Sequence, residues 1–389
     1  MVVILKVLFT VSLFSFVLGE LIRIPVFGTE IKLLDLAVLV LFIFWAAKKT
    51  LNKQILNIFY PPMMPFILAC AVSLILGSVS LNTNQILFSL LYFLRWVGYA
   101  GVFFLIFNFD REFKRKIRLL LVPVGAALVA GGYIQFFFYQ SLRNLYYLGW
   151  DEHLHRMFSS FLDPNFAGAF FVLYFLLLLD LVFKNLKNKS SLVTYVFISV
   201  ITLPAIFLTF SRSAVLMFIA GVCFYAVFKK RFLFIGLLVP AVILSFLLLP
   251  KSFQTEGTNF FRTASLEARR NSYSEALSII KENPLFGVGF NAYKYAKEKQ
   301  GFIESKSSFT SHADISTDNS FLFIIATTGV IGFLAYFYMW YKILKINRSS
   351  ALILSSAISL FINSFFINSL FYSFFIFWMW VLVATKESK

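Results

Sequence analysis

Charge is scarce in this chain. Only 14% of its 389 residues are Asp, Glu, Lys or Arg, where a soluble domain carries about 25%, and so few charges cannot cover a water-exposed surface. Histidine and cysteine are scarcer still, with three and two copies. Cys70 and Cys223 both sit inside apolar runs, where they act as small hydrophobes. That excludes a disulfide framework and any Cys/His metal spacing, so no metal or other cofactor is expected. The chain also has no Walker loop, no GxGxxG, no H-E-x-x-H and no G-x-S-x-G. Gly287-Val288-Gly289 follows a helical pattern rather than a strand, which is poor context for a nucleotide.

What fills the chain instead is apolar bulk: 60% hydrophobic residues and 52 phenylalanines. Runs of roughly 17 to 25 apolar residues span a bilayer as helices. Twelve candidate runs occur, near 2–19, 31–47, 61–79, 85–107, 118–139, 165–183, 191–210, 213–228, 232–250, 319–341, 350–367 and 369–385. A β-barrel would instead alternate over strands of about 10 residues. The expectation is an all-α integral membrane protein of about twelve transmembrane helices. The first run has a weak basic flank and no small-x-small cleavage site, so it reads as a retained helix rather than a signal peptide. Residues 1–250 would hold nine spans with short loops, 251–317 one long extracytoplasmic loop with short helices, and 318–389 the last three spans and a tail.

The formal net charge of +17 is a matter of topology. Lys48-Lys49 with Lys53, Arg111 to Arg118, Lys184 to Lys189, Lys229-Lys230-Arg231, Lys342 to Arg348 and the tail Lys386 and Lys389 fall in every second gap between the spans. Positive charge gathers on the cytoplasmic side, so both termini are expected in the cytoplasm. This distribution argues against nucleic acid as the partner. The partners it favours are membrane lipids.

One polar island, Lys251 to Thr317, then falls on the outer side, with nine basic residues against seven acidic ones. Leu266, Tyr273, Leu277 and Ile280 mark one face of a helix over Glu267 to Lys281, and Pro284 stops it. Arg269 and Arg270 lie on that helix. The last histidine, His312, closes the island, and Asp318-Asn319 opens the next span, where Asp318 is also a candidate helix cap. Arg212 sits at the tip between two spans. It serves either as an interfacial arginine reaching lipid phosphate or as a phosphate-binding fork. Arg156 precedes Asp163-Pro164-Asn165, a turn and cap before a span; His153 and His155 lie just before it in a polar loop. Arg95 lies midway along a span, so it needs a partner, and Asp35 is the best candidate acid.

Taken together, these strings resemble the bacterial O-antigen ligase and O-antigen polymerase superfamily. Arg156 with Phe161-Leu162-Asp163-Pro164-Asn165-Phe166-Ala167-Gly168 looks like its arginine-and-PNxxA element, and Thr209-Phe210-Ser211-Arg212-Ser213-Ala214 is similar to its TxSRxA turn. Arg269 stands four before the aromatic Tyr273, and Pro284-Leu285-Phe286-Gly287-Val288-Gly289 is similar to its PLxGxG turn. Asp318-Asn319-Ser320-Phe321-Leu322, with Thr328-Gly329-Val330-Ile331-Gly332 after it, resembles its entry to the next helix. The five strings come in the family's order between Arg156 and Gly332.

The resemblance implies a metal- and nucleotide-independent transferase. It would move a glycan from undecaprenyl pyrophosphate to an acceptor hydroxyl at the outer face of the membrane. A ligase takes lipid A-core as acceptor, and a polymerase takes a second lipid-linked glycan. Arg212 and Arg269 map onto family arginines that hold the pyrophosphate, with Arg156 and Arg270 as lesser candidates. Where the ligases place a histidine before Asn this chain has Asp318, with His312 six residues upstream. Either Asp318 replaces that histidine, His312 swings in, or this is a polymerase-like member with another arrangement. A flippase or secondary transporter of lipid-linked glycan is the competing class; it would show broken helices near the midplane, whereas this chain concentrates its polar residues outside.

Overall fold

The computed structural model describes residues 2–26, 29–53, 58–233, 236, 240, 242, 244, 256–259, 263–303 and 315–386. They form helices α1 (Val2–Leu18), α2 (Leu33–Leu51), α3 (Met64–Gly77), α4 (Thr83–Phe107), α5 (Arg111–Phe138), α6 (Pro164–Lys184), α7 (Lys189–Leu208) and α8 (Arg212–Phe228). The series continues with α9 (Ala264–Glu282), α10 (Tyr293–Lys299), α11 (Ser320–Ile346), α12 (Ala351–Asn363) and α13 (Ser373–Ala384). Among the described residues the one sheet is a hairpin of β1 (Arg23–Val26) and β2 (Thr29–Lys32), with Ile24 opposite Ile31.

The architecture is that of a multi-pass membrane protein built almost wholly of helices. Among the described residues, six segments are long and apolar enough to cross a membrane: Pro61–Ser80, α4, α5, α6, α7 and α11. Four shorter apolar helices join them, α1, α8, α12 and α13. The second expected span is helical as α2, but Asp35, Lys48 and Lys49 lower its apolarity. Most of the ninth, 232–250, lies outside the described residues.

The chain divides into two compact units. The first comprises 1–119, 266–346 and 370–389. There α2 packs on α1 and α4, α3 on α11, and α13 on α4. Without a hydrophobic drive between lipid-embedded helices, shape and ring packing decide the contacts. Phe66 meets Trp96 and Tyr336 edge-on, Trp340 stacks on Trp380, and Phe16 stacks on Trp378. The intramembrane arginine has the partner its position demands: Arg95 Nη1 lies 3.6 Å from Asp35 Oδ2, and Tyr99 donates to Asp35 Oδ1 at 2.8 Å.

The second unit comprises 120–265 and 347–369. In it α6 packs on α7, α8 and α12, and α8 packs on α12. Small residues allow the closest approaches. A β-carbon on Gly168 would stand 2.7 Å from the Ala214 methyl and 2.8 Å from Thr209 Oγ1.

Candidate functional site

In the second unit the two family-like strings turn out to be one construction. Asp163 caps α6 by accepting from the amides of Asn165 and Phe166 at 2.6 and 3.3 Å, and Pro164 takes the first helical position, where no N–H is needed. Burial raises the Asp163 carboxyl above its ordinary value, opposed by those two amides and by Arg156. Asn165 points its carbonyl at the tip between α7 and α8, where Ser211 donates to it at 3.0 Å. Ser211 in turn caps α8 by accepting from the Ala214 amide, and its hydroxyl lies 3.1 Å from that of Ser213. Phe210 takes a left-handed φ of 49° to make this tip.

Arg156 fastens the same tip from the other side. Its side chain is buried, with Nε donating to the Thr209 carbonyl at 2.9 Å and a terminal nitrogen to the Phe210 carbonyl at 3.5 Å and Asn165 Oδ1 at 3.4 Å. The Met157 amide adds a bond to the Leu208 carbonyl at 2.9 Å. Arg212 is thereby placed as the first residue of α8, half-buried. Unpaired amides and the helix dipole favour an anion at such an end, and a guanidinium there strengthens the preference.

In the first unit a second group assembles around α9. Tyr273 follows Arg269 by one helical turn. Burial holds the Tyr273 phenol above its ordinary pKa; a hydrogen bond with Asn319 and the charge of Arg269 pull against that, while Asp318 adds to it. Tyr273 therefore has Arg269, Asp318 and Asn319 as its electrostatic neighbours. Ser272 clips the helix to the chain ahead of α11: it donates to Thr317 Oγ1 at 3.0 Å and accepts from the Asp318 amide at 3.1 Å. Arg270, beside Arg269, lies on the exposed face of α9.

The cap of α11 differs from expectation. Asn319, not Asp318, accepts from the amides of Phe321 and Leu322, at 2.9 and 3.1 Å. The reason is position: Ser320 is the first helical residue, so the capping place falls to Asn319. The Asp318 carboxylate is left out of the capping and is half-buried next to Tyr273. His312 lies outside the described residues.

The PLFGVG string and the TGVIG string also meet. At Gly329 α11 breaks, with φ of 66° and ψ of −174°. An unbroken helix would bond the amides of Val330 and Ile331 to the carbonyls of Ala326 and Thr327. Here Val330 donates to the Pro284 carbonyl at 2.9 Å and Ile331 to that of Leu285 at 3.4 Å. The carbonyls of Ala326 and Thr327 accept instead from Val288 at 2.9 Å and Gly289 at 3.2 Å. The turn is thus spliced into the helix and completes its hydrogen bonds. Ser73 of α3 adds a bond to the Thr327 carbonyl at 2.6 Å. Gly287, Gly329 and Gly77 are glycine because a β-carbon on any of them would overlap the backbone of Thr327, Leu285 or Val288. The turn so held sets the end of α9, the helix that carries Arg269.

Arg156 and Arg212 belong to the second unit, and Arg269, Arg270 and Asp318 to the first. Sequence reasoning missed Asn165 as a hub, Ser272 as a clip and Tyr273 as the neighbour of Asp318, although each stands inside or beside a string already singled out. Among the described residues no group of three His, Cys, Asp or Glu could hold a metal ion. No curated protein matches the chain. Residues 197–337 match the model of the O-antigen ligase family, a stretch that includes Arg212, Arg269, Asp318 and the splice at Gly329. That stretch is similar to the O-antigen ligase family and supports a kinship with the O-antigen ligase and polymerase superfamily.

Proposed function

We propose that the protein transfers a glycan from undecaprenyl pyrophosphate to an acceptor hydroxyl at the outer face of a bacterial cytoplasmic membrane. It acts as an O-antigen ligase with lipid A-core as acceptor. Both termini lie in the cytoplasm, and the transfer takes place on the periplasmic side. The reading rests on one observation above others. Ser272, one turn along α9 from Arg269, ties the loop helix to Thr317 and the Asp318 amide, so a cation and a carboxylate lie in the electrostatic neighbourhood of one phenol, Tyr273.

In the reaction the acceptor hydroxyl attacks the anomeric carbon. The bond from that carbon to the pyrophosphate oxygen breaks, the new glycosidic bond forms, and the hydroxyl proton goes to a base. Negative charge grows on the departing pyrophosphate, and arginines placed beforehand stabilise it as it develops. Arg212 and Arg269 take that role. Asp318 accepts the proton in this reading, with His312 as the alternative base; a carboxylate is the weaker base of the two.

The polymerase reading, with a second lipid-linked glycan as acceptor, is favoured by one residue. Asp318 stands where the ligases carry histidine. A transporter is disfavoured by the break at Gly329. In transporters the freed backbone groups of broken helices bind substrate, but here the 284–289 turn occupies them.

The test is reconstitution of the pure protein with a pyrophosphate-linked oligosaccharide, and with core lipid or a second lipid-linked glycan as acceptor, without nucleotide or metal. Transferred glycan should appear. Arg212→Ala and Arg269→Ala should each lower kcat about 10²- to 10³-fold, the usual loss for one charge-stabilising donor. Glycan crossing the bilayer with no new bond formed would overturn the assignment.

A further inference from the structure

A second polar feature of the first unit takes no part in the transfer chemistry above. A cavity of about 690 Å³ opens where α9 ends, between the 284–288 turn, α10 and the segment joining α3 to α4. That volume lies within the roughly 300 to 1,000 Å³ of ligand sites. Glu282 at its wall is thirteen residues beyond Arg269 on the same helix, or about 20 Å at 1.5 Å per residue. One sugar ring does not span that distance, whereas an oligosaccharide does.

The lining chemistry names a ligand class. Two carboxylates, Glu282 and Glu298, line the cavity with one ammonium, Lys299, so the wall has the wrong sign for a pyrophosphate. Asn283 and Gln300 supply amides. Gln300 Oε1 is buried with no hydrogen-bond partner, and Glu282 makes no ion pair among the described residues. Tyr295 adds an aromatic face with a polar tip, the combination that seats a pyranose by its C–H face and its hydroxyls together. Carboxylates and amides beside the rings of Tyr295 and Phe286 suit the vicinal hydroxyls of neutral sugars.

We infer that this cavity is a saccharide subsite, holding neutral sugars of an oligosaccharide remote from the bond that reacts. The inference rests on the transferase reading and deepens it: the protein would select its glycan by length and composition here, apart from the groups that hold the pyrophosphate.

The probes are free neutral tetrasaccharides without lipid or phosphate, chitotetraose and maltotetraose, together with the oligosaccharide released by mild acid from the host's own polyprenyl carriers. Each is followed by saturation-transfer NMR on the full chain in nanodiscs. At least one should bind. Ala296→Trp, which fills the cavity from α10, should abolish the signal, and Tyr295→Ala should weaken it about tenfold, the loss of one stacked ring. Glu282→Gln, at an exposed position that leaves the fold intact, should weaken it several-fold. Absence of binding by all three probes, or binding that survives Ala296→Trp and Glu282→Gln, overturns the subsite. The measurement needs neither carrier nor transfer. Failed transfer with intact saccharide binding would therefore count against the transferase reading alone.

Discussion

Gly329 holds a φ of +66° with the Leu285 carbonyl where a β-carbon would stand, whereas Gly301, at +75°, has nothing near the equivalent point. The pair separates two costs. Gly301→Ala should cost only the left-handed backbone strain, about 1–2 kcal/mol. Gly329→Ala adds a backbone overlap that cannot relax without parting the turn from α11, and it should lower the melting temperature far more. Thermal unfolding of both variants in the same nanodiscs checks this, and equal shifts would contradict it. Asp318 is the other residue on which the reading turns. Asp318→Asn should lower kcat about 10²- to 10⁴-fold, the range for a lost general base, while leaving KM for the donor nearly unchanged. His312→Ala should do little. The reverse pattern would assign the base to His312. Asp318→His should restore activity with a pH profile rising near the ordinary imidazole pKa of about 6.5.

Among the elements, α9 shows how much was legible. Apolar spacing over Glu267 to Lys281 predicted a helix, and Ala264–Glu282 is helical. Pro284 marked its end. What the sequence could not display is how the strings pair. Arg156 meets the Thr209–Ser211 tip through backbone carbonyls, and the 284–289 turn meets α11 through four backbone bonds. Backbone groups are the same in every residue, so such pairings leave no mark except the glycines that permit them. The cap went to Asn319 rather than Asp318 because the two differ by one position, finer than periodicity resolves. One clip is directly testable. Arg156→Lys keeps the charge but loses the fork that reaches Thr209, Phe210 and Asn165 together. It should loosen the tip that carries Arg212, raising KM for the pyrophosphate donor about tenfold. Unchanged kinetics would show that the tip stands without it.

Over the whole molecule, scarcity of charge made the membrane class plain from composition. It also made the surviving ion pairs consequential. Glu20, 2% exposed at its side chain, meets Arg23 at 2.8 Å and Lys32 at 2.7 Å and accepts from Tyr372 at 2.9 Å. Burial would raise its carboxyl, but Lys32 and Arg23 outweigh burial and hold it below the ordinary 4.5. A depressed carboxyl stabilises the fold above the unfolded pKa and loses that contribution as pH falls through the folded one. The melting temperature should therefore hold from pH 7 to about 5 and drop below about 4.5. Glu20→Gln should start lower and show a weaker drop. Arg95 and Asp35 repeat the principle between α4 and α2, with Arg95 partly exposed. Asp35→Ala should cost less than the roughly 3–5 kcal/mol of a fully buried broken pair.

The splice at Gly329 has a consequence for anyone who exchanges parts between such proteins. Two stretches some forty positions apart in the chain close a single ring of hydrogen bonds, each completing the other's backbone. Neither is a portable module. A chimera that takes its loop from one parent and its following span from another would inherit half a seam, leaving amides and carbonyls of α11 without their partners. Grafts cut after the end of α11, so that both sides of the seam travel together, should assemble; grafts cut between Gly289 and Gly329 should assemble only when both parents share the same fit.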